Sequence, residues 1–140
     1  MDPRSIHDAL GEDAFHRLTA AFYAGVANDE LLRPLYPEED LEPARNRLAL
    51  FLIQYFGGPT TYSDERGHPR LRIRHAPFPI DTVMRDTWMR HMLAALDAQA
   101  FPPEIDAVMR RYFEDASTFL INRREGPRES NLLVRPVSGA

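Results

Sequence analysis

The chain has 140 residues, 44% of them hydrophobic, which supports one core and leaves no room for a second domain of ordinary size. A formal net charge of −4 gives no electrostatic reason to expect nucleic acid as a partner, and the absence of cysteine excludes disulfides, thiolate catalysis and cysteine-ligated metals. No apolar run approaches the roughly 18 residues of a membrane span, and the opening MDPRSIHDAL lacks the basic start and apolar core of a secretory signal, so a soluble cytoplasmic protein is expected.

In chain order, the first helical pattern begins near Gly11 and carries Phe15, Leu18, Phe22 and Val26 on one face, with Tyr23 beside the stripe. A short turn or helix at 29–35 is ended by Pro37 and the acidic loop Glu38-Glu39-Asp40. Pro43 suits the first position of the next helix. Its stripe is Ala44, Leu48, Phe51, Leu52 and Tyr55, and Gly57 and Gly58 stop it. Residues 59–67 read as loop by composition. A brief helix from about Pro69 to Ala76 is cut off by Pro77, since the residue before a proline resists the helical region. From Asp81 to Asp97 the stripe is Met84, Trp88, Met92 and Leu96, and after Pro102-Pro103 a final helix presents Ile105, Met109, Tyr112, Ala116, Phe119 and Leu120. Sustained period-two alternation is absent, which makes the chain all-α. The folded domain is expected at 1–124. Residues 125–140, rich in Arg, Glu, Gly, Pro and Ser, are expected to form a disordered tail, with Leu132, Leu133 and Val134 as its one segment able to dock.

Four principal helices can pack by themselves, so a cofactor-free bundle is the plain reading. Two features argue for a hole in the core. Tyr23, Tyr36, Trp88 and Tyr55 face inward with polar handles that an all-apolar core leaves without partners. Residues 59–78 are also long and weakly helical for a simple connector. In that stretch His75 follows an arginine-rich segment and precedes Ala76-Pro77-Phe78. An imidazole held at such a reversal suits axial ligation of a haem, whose carboxylates arginines can pair with. Taken alone, the position suits better still a surface histidine at a helix C-terminus, where its charge favours the dipole.

The segment HPRLRIRHAPF, with Phe22-Tyr23, Leu35-Tyr36-Pro37 and Trp88, resembles the truncated haemoglobins, the 2-over-2 globins, and within them group II. The resemblance runs from about Ser5 to about Asn122. It implies a globin-like, truncated 2-over-2 helical sandwich enclosing haem b, with His75 as the iron ligand and Tyr23, Tyr36 and Trp88 as distal donors to a bound ligand. The other ring N–H of His75 then needs an acceptor, and the carbonyl of Leu71 is the natural one. Ala44, which falls where many larger globins carry a ligand-binding histidine, and Leu48 one turn on cannot hydrogen-bond a ligand; a small residue at 44 leaves an entry path. Arg47, Tyr62, His68, Arg72 and Arg74 are candidate partners for the haem propionates, Arg74 and Tyr62 foremost. Phe51, Leu52, Leu71, Phe78 and Met92 are expected as walls, and His7, His16 and His91 as surface or structural residues. In one place the chain departs from the family: a Gly-Gly pair usually joins the first two helices, and here it is Gly11-Glu12.

The implied function is reversible binding of O2, and of CO, NO and other small ligands, in oxygen binding or transport. Rival classes are a redox enzyme acting on NO or peroxide with an external reductase, a gas sensor, and the cofactor-free module. Neither membrane nor nucleic acid is expected as a partner, and the chain is read as a monomer or homo-oligomer.

Overall fold

Residues 1–123 are described by a computed structural model, and among them every regular element is helical. The seven α-helices are α1 (Ile6–Leu10), α2 (Glu12–Val26), α3 (Glu42–Tyr55), α4 (Thr61–Arg66), α5 (Leu71–His75), α6 (Thr82–Gln99) and α7 (Pro103–Phe119), with 3-10 turns at Pro3–Ser5 and Arg33–Leu35. The expected tail and its Leu132-Leu133-Val134 segment lie outside the described residues.

The long helices follow from the sequence stripes. α2 buries Phe15, Leu18, Phe22, Tyr23 and Val26 at three- and four-residue steps and packs on both α3 and α6. α6 also packs on α7, so two helix pairs are joined through the α2–α6 contact. The hinge before α2 needs a single glycine. Gly11, at φ 83° and ψ 161°, takes the backbone region closed to other residues, and Glu12 already lies in the first turn of α2. There, with Asp13, its charge favours the positive helix end.

α3 begins with Pro43 in its first turn and ends where Gly57 turns at φ 105°. A Cβ on Gly57 would lie 1.8 Å from the carbonyl oxygen of Arg4, and one on Gly58 2.7 Å from the His7 ring. The N-terminal segment therefore lies directly on this helix end, and the His7 N–H donates to the Phe56 carbonyl at 2.9 Å. Asp81 caps α6 by accepting from the Met84 N–H at 2.9 Å.

The structure corrects three expectations. Residues 61–66, read as loop, form α4. Its docking rests on buried Tyr62, 5.6 Å from the Phe51 ring centre, and on a paired hydrogen bond between Gln54 and Ser63, features that average polarity hides. The helix expected from Pro69 to Ala76 is confined to Leu71–His75, because Arg70 before it adopts φ 42°. Tyr55 and Phe119, placed on apolar stripes, are 42% and 57% exposed; each lies in the last turn of its helix, at the rim of the core.

Candidate functional site

A cavity of about 460 Å³ opens between these helices, in the size range of small-molecule sites. Its wall takes residues from α2 through α7 and from the 32–38 segment.

On one part of the wall three polar aromatic groups meet. Tyr23 is buried on the inner face of α2, and its ring meets that of Tyr36 edge to face with 5.4 Å between centres. Trp88, on α6, packs against Phe22 at 4.9 Å and Phe113 at 5.9 Å. Tyr23, Tyr36 and Trp88 thus share one corner of the cavity wall, with the Tyr36 phenol beside the other two polar groups. Burial pushes the Tyr23 phenol well above its usual range, and the neighbouring Tyr36 adds to the rise. Burial also raises Tyr36, against the opposing influence of the neighbouring Tyr23 and Trp88. Both phenols therefore keep their protons across the physiological range, which a hydrogen-bond donor requires.

Tyr36 has no helix to fix it. Arg33 does so instead, donating to the carbonyls of Tyr36 at 2.7 Å, Glu38 at 2.7 Å and Glu39 at 2.9 Å. Arg47 closes the same loop onto α3 with an ion pair to Glu38 at 3.1 Å.

His75 lines the cavity at the end of α5. Its Nδ1 lies 2.7 Å from the Leu71 carbonyl. A carbonyl only accepts, so Nδ1 carries the hydrogen, and in the neutral ring Nε2 is left as a bare lone pair, the form that ligates a metal. The turn after His75 is pinned by Asn122. Its Nδ2 donates to Phe78 O at 3.0 Å and His75 O at 3.3 Å, while its Oδ1 accepts from the Ile80 N–H at 2.9 Å.

The cavity brings together Tyr23, Tyr36, Trp88, His75, Ala44, Arg47, Leu48, Phe51, Leu52, Tyr62, Leu71, Arg74 and Phe78. His68, Arg72 and Met92 do not line it. Met92 lies one turn beyond Trp88 and is fully buried in the core, because the α6 stripe continues past the end of the cavity. Arg72 is exposed on the outer face of α5, over the Phe119 ring at 5.1 Å, and His68 is exposed. Arg74 is at the wall, but its guanidinium bonds the carbonyls of Pro69, Arg66 and His68 at 2.6, 2.6 and 3.1 Å and so orders the turn before α5.

Sequence reasoning passed over several wall residues. Met84 and Leu120 lie on stripes already recognised. Phe113, buried four residues after Met109, was discoverable by spacing. Arg66 is exposed at the wall, over the Tyr62 ring at 5.9 Å, and among the described residues no hydrogen bond or ion pair holds its guanidinium. Arg33 and Asn122 gave no signal, since both act on backbone carbonyls.

The site suits a flat, largely apolar cofactor with carboxylates at its edge. Among the described residues it offers a single imidazole with a fixed tautomer, aromatic and aliphatic walls, and arginines 47 and 66 in its lining.

Comparison with known proteins gives a consistent picture. The Bacterial-like globin family model matches residues 5–122. The chain is 37% identical over 125 residues to Group 2 truncated hemoglobin YjbI of Bacillus subtilis, covering 89% of this chain and 94% of that one. It resembles the solved thermostable hemoglobin of the actinobacterium Thermobifida fusca, with 52% identity, a TM-score of 0.80 and coverage of 81% and 92% of the two chains. It also resembles the truncated oxygen-avid haemoglobin of Bacillus subtilis, with 35% identity, a TM-score of 0.80 and coverage of 87% and 100%.

Proposed function

The chain belongs to the bacterial-like globins, among the group II truncated haemoglobins, and from that premise we propose that it binds O2, CO, NO and similar small molecules reversibly at a haem b held by His75. The all-helical fold is that of the truncated globins. When bound, haem iron supplies an open coordination position for a diatomic molecule. The chain's residues do the rest. His75 donates Nε2, and the Leu71 carbonyl fixes its ring and raises its basicity. Phe51, Leu52, Leu71 and Phe78 would exclude water from the apolar faces, and Arg47, Arg66 and Tyr62, which also line the cavity, would pair with the carboxylates. Ala44 and Leu48 leave the ligand side without a polar group of their own, so Tyr36, Tyr23 and Trp88 supply the donors.

One observation carries this reading: a single cavity holds both an imidazole of fixed tautomer and three polar hydrogens on aromatic rings. Burial keeps the Tyr36 phenol protonated, so its O–H is available to donate to a ligand. Absorption spectra of the purified protein in ferric, ferrous, oxy and CO forms test the proposal. A strong Soret band that shifts with each ligand is expected; a protein that takes up no haem overturns it.

The same donors favour a second reading. A charge-assisted hydrogen bond contributes roughly 1.5–3 kcal/mol, which is about one or two factors of ten in release rate. Slow release suits delivery poorly and suits redox turnover of NO or peroxide with an external reductase. The Bacillus subtilis relative described as oxygen-avid is in line with slow release. Turnover rates well above those of unrelated globins distinguish the two.

A further inference from the structure

His91 lies one turn beyond Trp88 on α6, half-buried, and its Nε2 is 2.7 Å from Oδ2 of Asp29. The other oxygen of Asp29 accepts from the N–H groups of Leu31 at 2.8 Å and Leu32 at 2.9 Å. The Asp29 carbonyl accepts from the Arg33 N–H at 2.9 Å. Arg33 in turn holds the loop that carries Tyr36. A continuous set of short polar bonds thus runs from the helix bearing Trp88 to the turn bearing Tyr36. The carboxylate is well used: its side chain is 11% exposed, and Arg90, 69% exposed at 3.9 Å, is its one further charged neighbour among the described residues. Gly25 completes the arrangement. A Cβ there would lie 2.5 Å from His91 Nδ1, so the imidazole rests on the α2 backbone two residues past Tyr23 and reaches Asp29 because residue 25 has no side chain.

We propose that His91 and Asp29, seated on Gly25, are positioning residues that set the separation of the Trp88 and Tyr36 donors. Neither residue lines the cavity, so they act through the donors and not on the ligand. The proposal rests on the reading of Trp88 and Tyr36 as ligand donors. Removing the imidazole frees α6 to slide relative to the 29–36 turn, and the two donors then lose their common focus. Hydrogen bonds fall off steeply with misalignment, so small movements suffice.

The test uses the haem-loaded CO form and a readout that needs no turnover. The chain has one tryptophan, so its amide correlation spectrum has one indole N–H signal, which reports Trp88 alone. His91→Ala is expected to shift that signal together with the amides of Leu31 and Leu32, and to speed O2 release by roughly three-fold or more. His91→Gln, which keeps a donor for Asp29, should restore both. Gly25→Ala is the second variant and guards against a failure of His91→Ala to fold. Alanine favours the helix by about 1 kcal/mol, yet its methyl displaces the imidazole, so the same spectral shift is expected in a protein with an intact helix. An indole signal unmoved in both His91→Ala and Gly25→Ala overturns the proposal. So does equal perturbation by His91→Ala and His91→Gln, because ring volume and not the bond to Asp29 would then be at work. A shifted indole signal with unchanged O2 release upholds the positioning role and counts against the donor reading of Trp88.

Discussion

Trp88 and Tyr36 are where single atoms are asked to do the most. Trp88→Phe removes one N–H and keeps the packing against Phe22 and Phe113, so O2 release should rise by roughly ten-fold or more, as one lost charge-assisted bond implies. Tyr36→Phe should also speed release, and it removes the hydroxyl that shares one corner of the cavity, and so one acceptor, with the other two donors. The double variant should therefore be non-additive. CO carries less charge on its outer atom, and its release should respond much less. Stopped-flow measurement of both gases on the single and double variants checks this; an O2 rate within about two-fold of the parent in Trp88→Phe would leave the indole a packing residue only. At this scale residue type and family pattern together pointed to His75, Tyr23, Tyr36 and Trp88, all of which line the cavity. The sequence was silent at Arg33 and Asn122. Their partners are backbone carbonyls, which carry no residue signature, and for Asn122 those partners lie 42 to 47 positions away. Arg74 shows the converse. Its type suggested a propionate partner, whereas its guanidinium is engaged by three carbonyls of its own turn.

Among the elements, α5 is the one whose position matters most and whose own stability is least. It has five residues and no buried one, so neither propensity nor apolar burial holds it. Two devices do: the Arg74 bonds before it and the Asn122 bonds after it. Asn122→Ala leaves the Ile80 N–H and the Phe78 carbonyl without their side-chain partner, at roughly 1 kcal/mol per bond. A loss of about 1–3 kcal/mol in urea unfolding and faster haem transfer to an acceptor protein are expected. A variant indistinguishable from the parent in both would show that the Asn122 bonds do not hold α5. The long helices were legible because a stripe of apolar residues repeats through them. α4 was not, since its placement depends on Tyr62 and on one Gln54–Ser63 pair, and a single anchoring residue makes no period. Met92 was placed at the site for a related reason. A stripe identifies the buried face of α6 but carries no mark of where the cavity stops and solid core begins.

The whole molecule buries titratable groups in the cavity wall, and that links its stability to pH. Tyr23, Tyr36 and Tyr112 all have pKa values raised chiefly by burial. For groups raised in the folded state, the stabilising contribution is complete below the ordinary phenol pKa of about 10 and is lost as pH rises through the folded values. Alkaline titration followed by phenolate absorbance and by helix signal should therefore show late-ionising tyrosines whose ionisation coincides with unfolding. Ionisation of all five tyrosines in one step near pH 10 with the helices intact would contradict the buried placement. The molecule-wide claim is that four principal helices and a short, externally pinned α5 enclose a haem on one imidazole. Its most direct test is the ferrous absorption spectrum of His75→Ala beside those of the parent and of variants at His7, His16 and His91. The account predicts loss of stable haem retention in His75→Ala alone, recovered by added imidazole. A normal five-coordinate ferrous spectrum from His75→Ala without imidazole would contradict it.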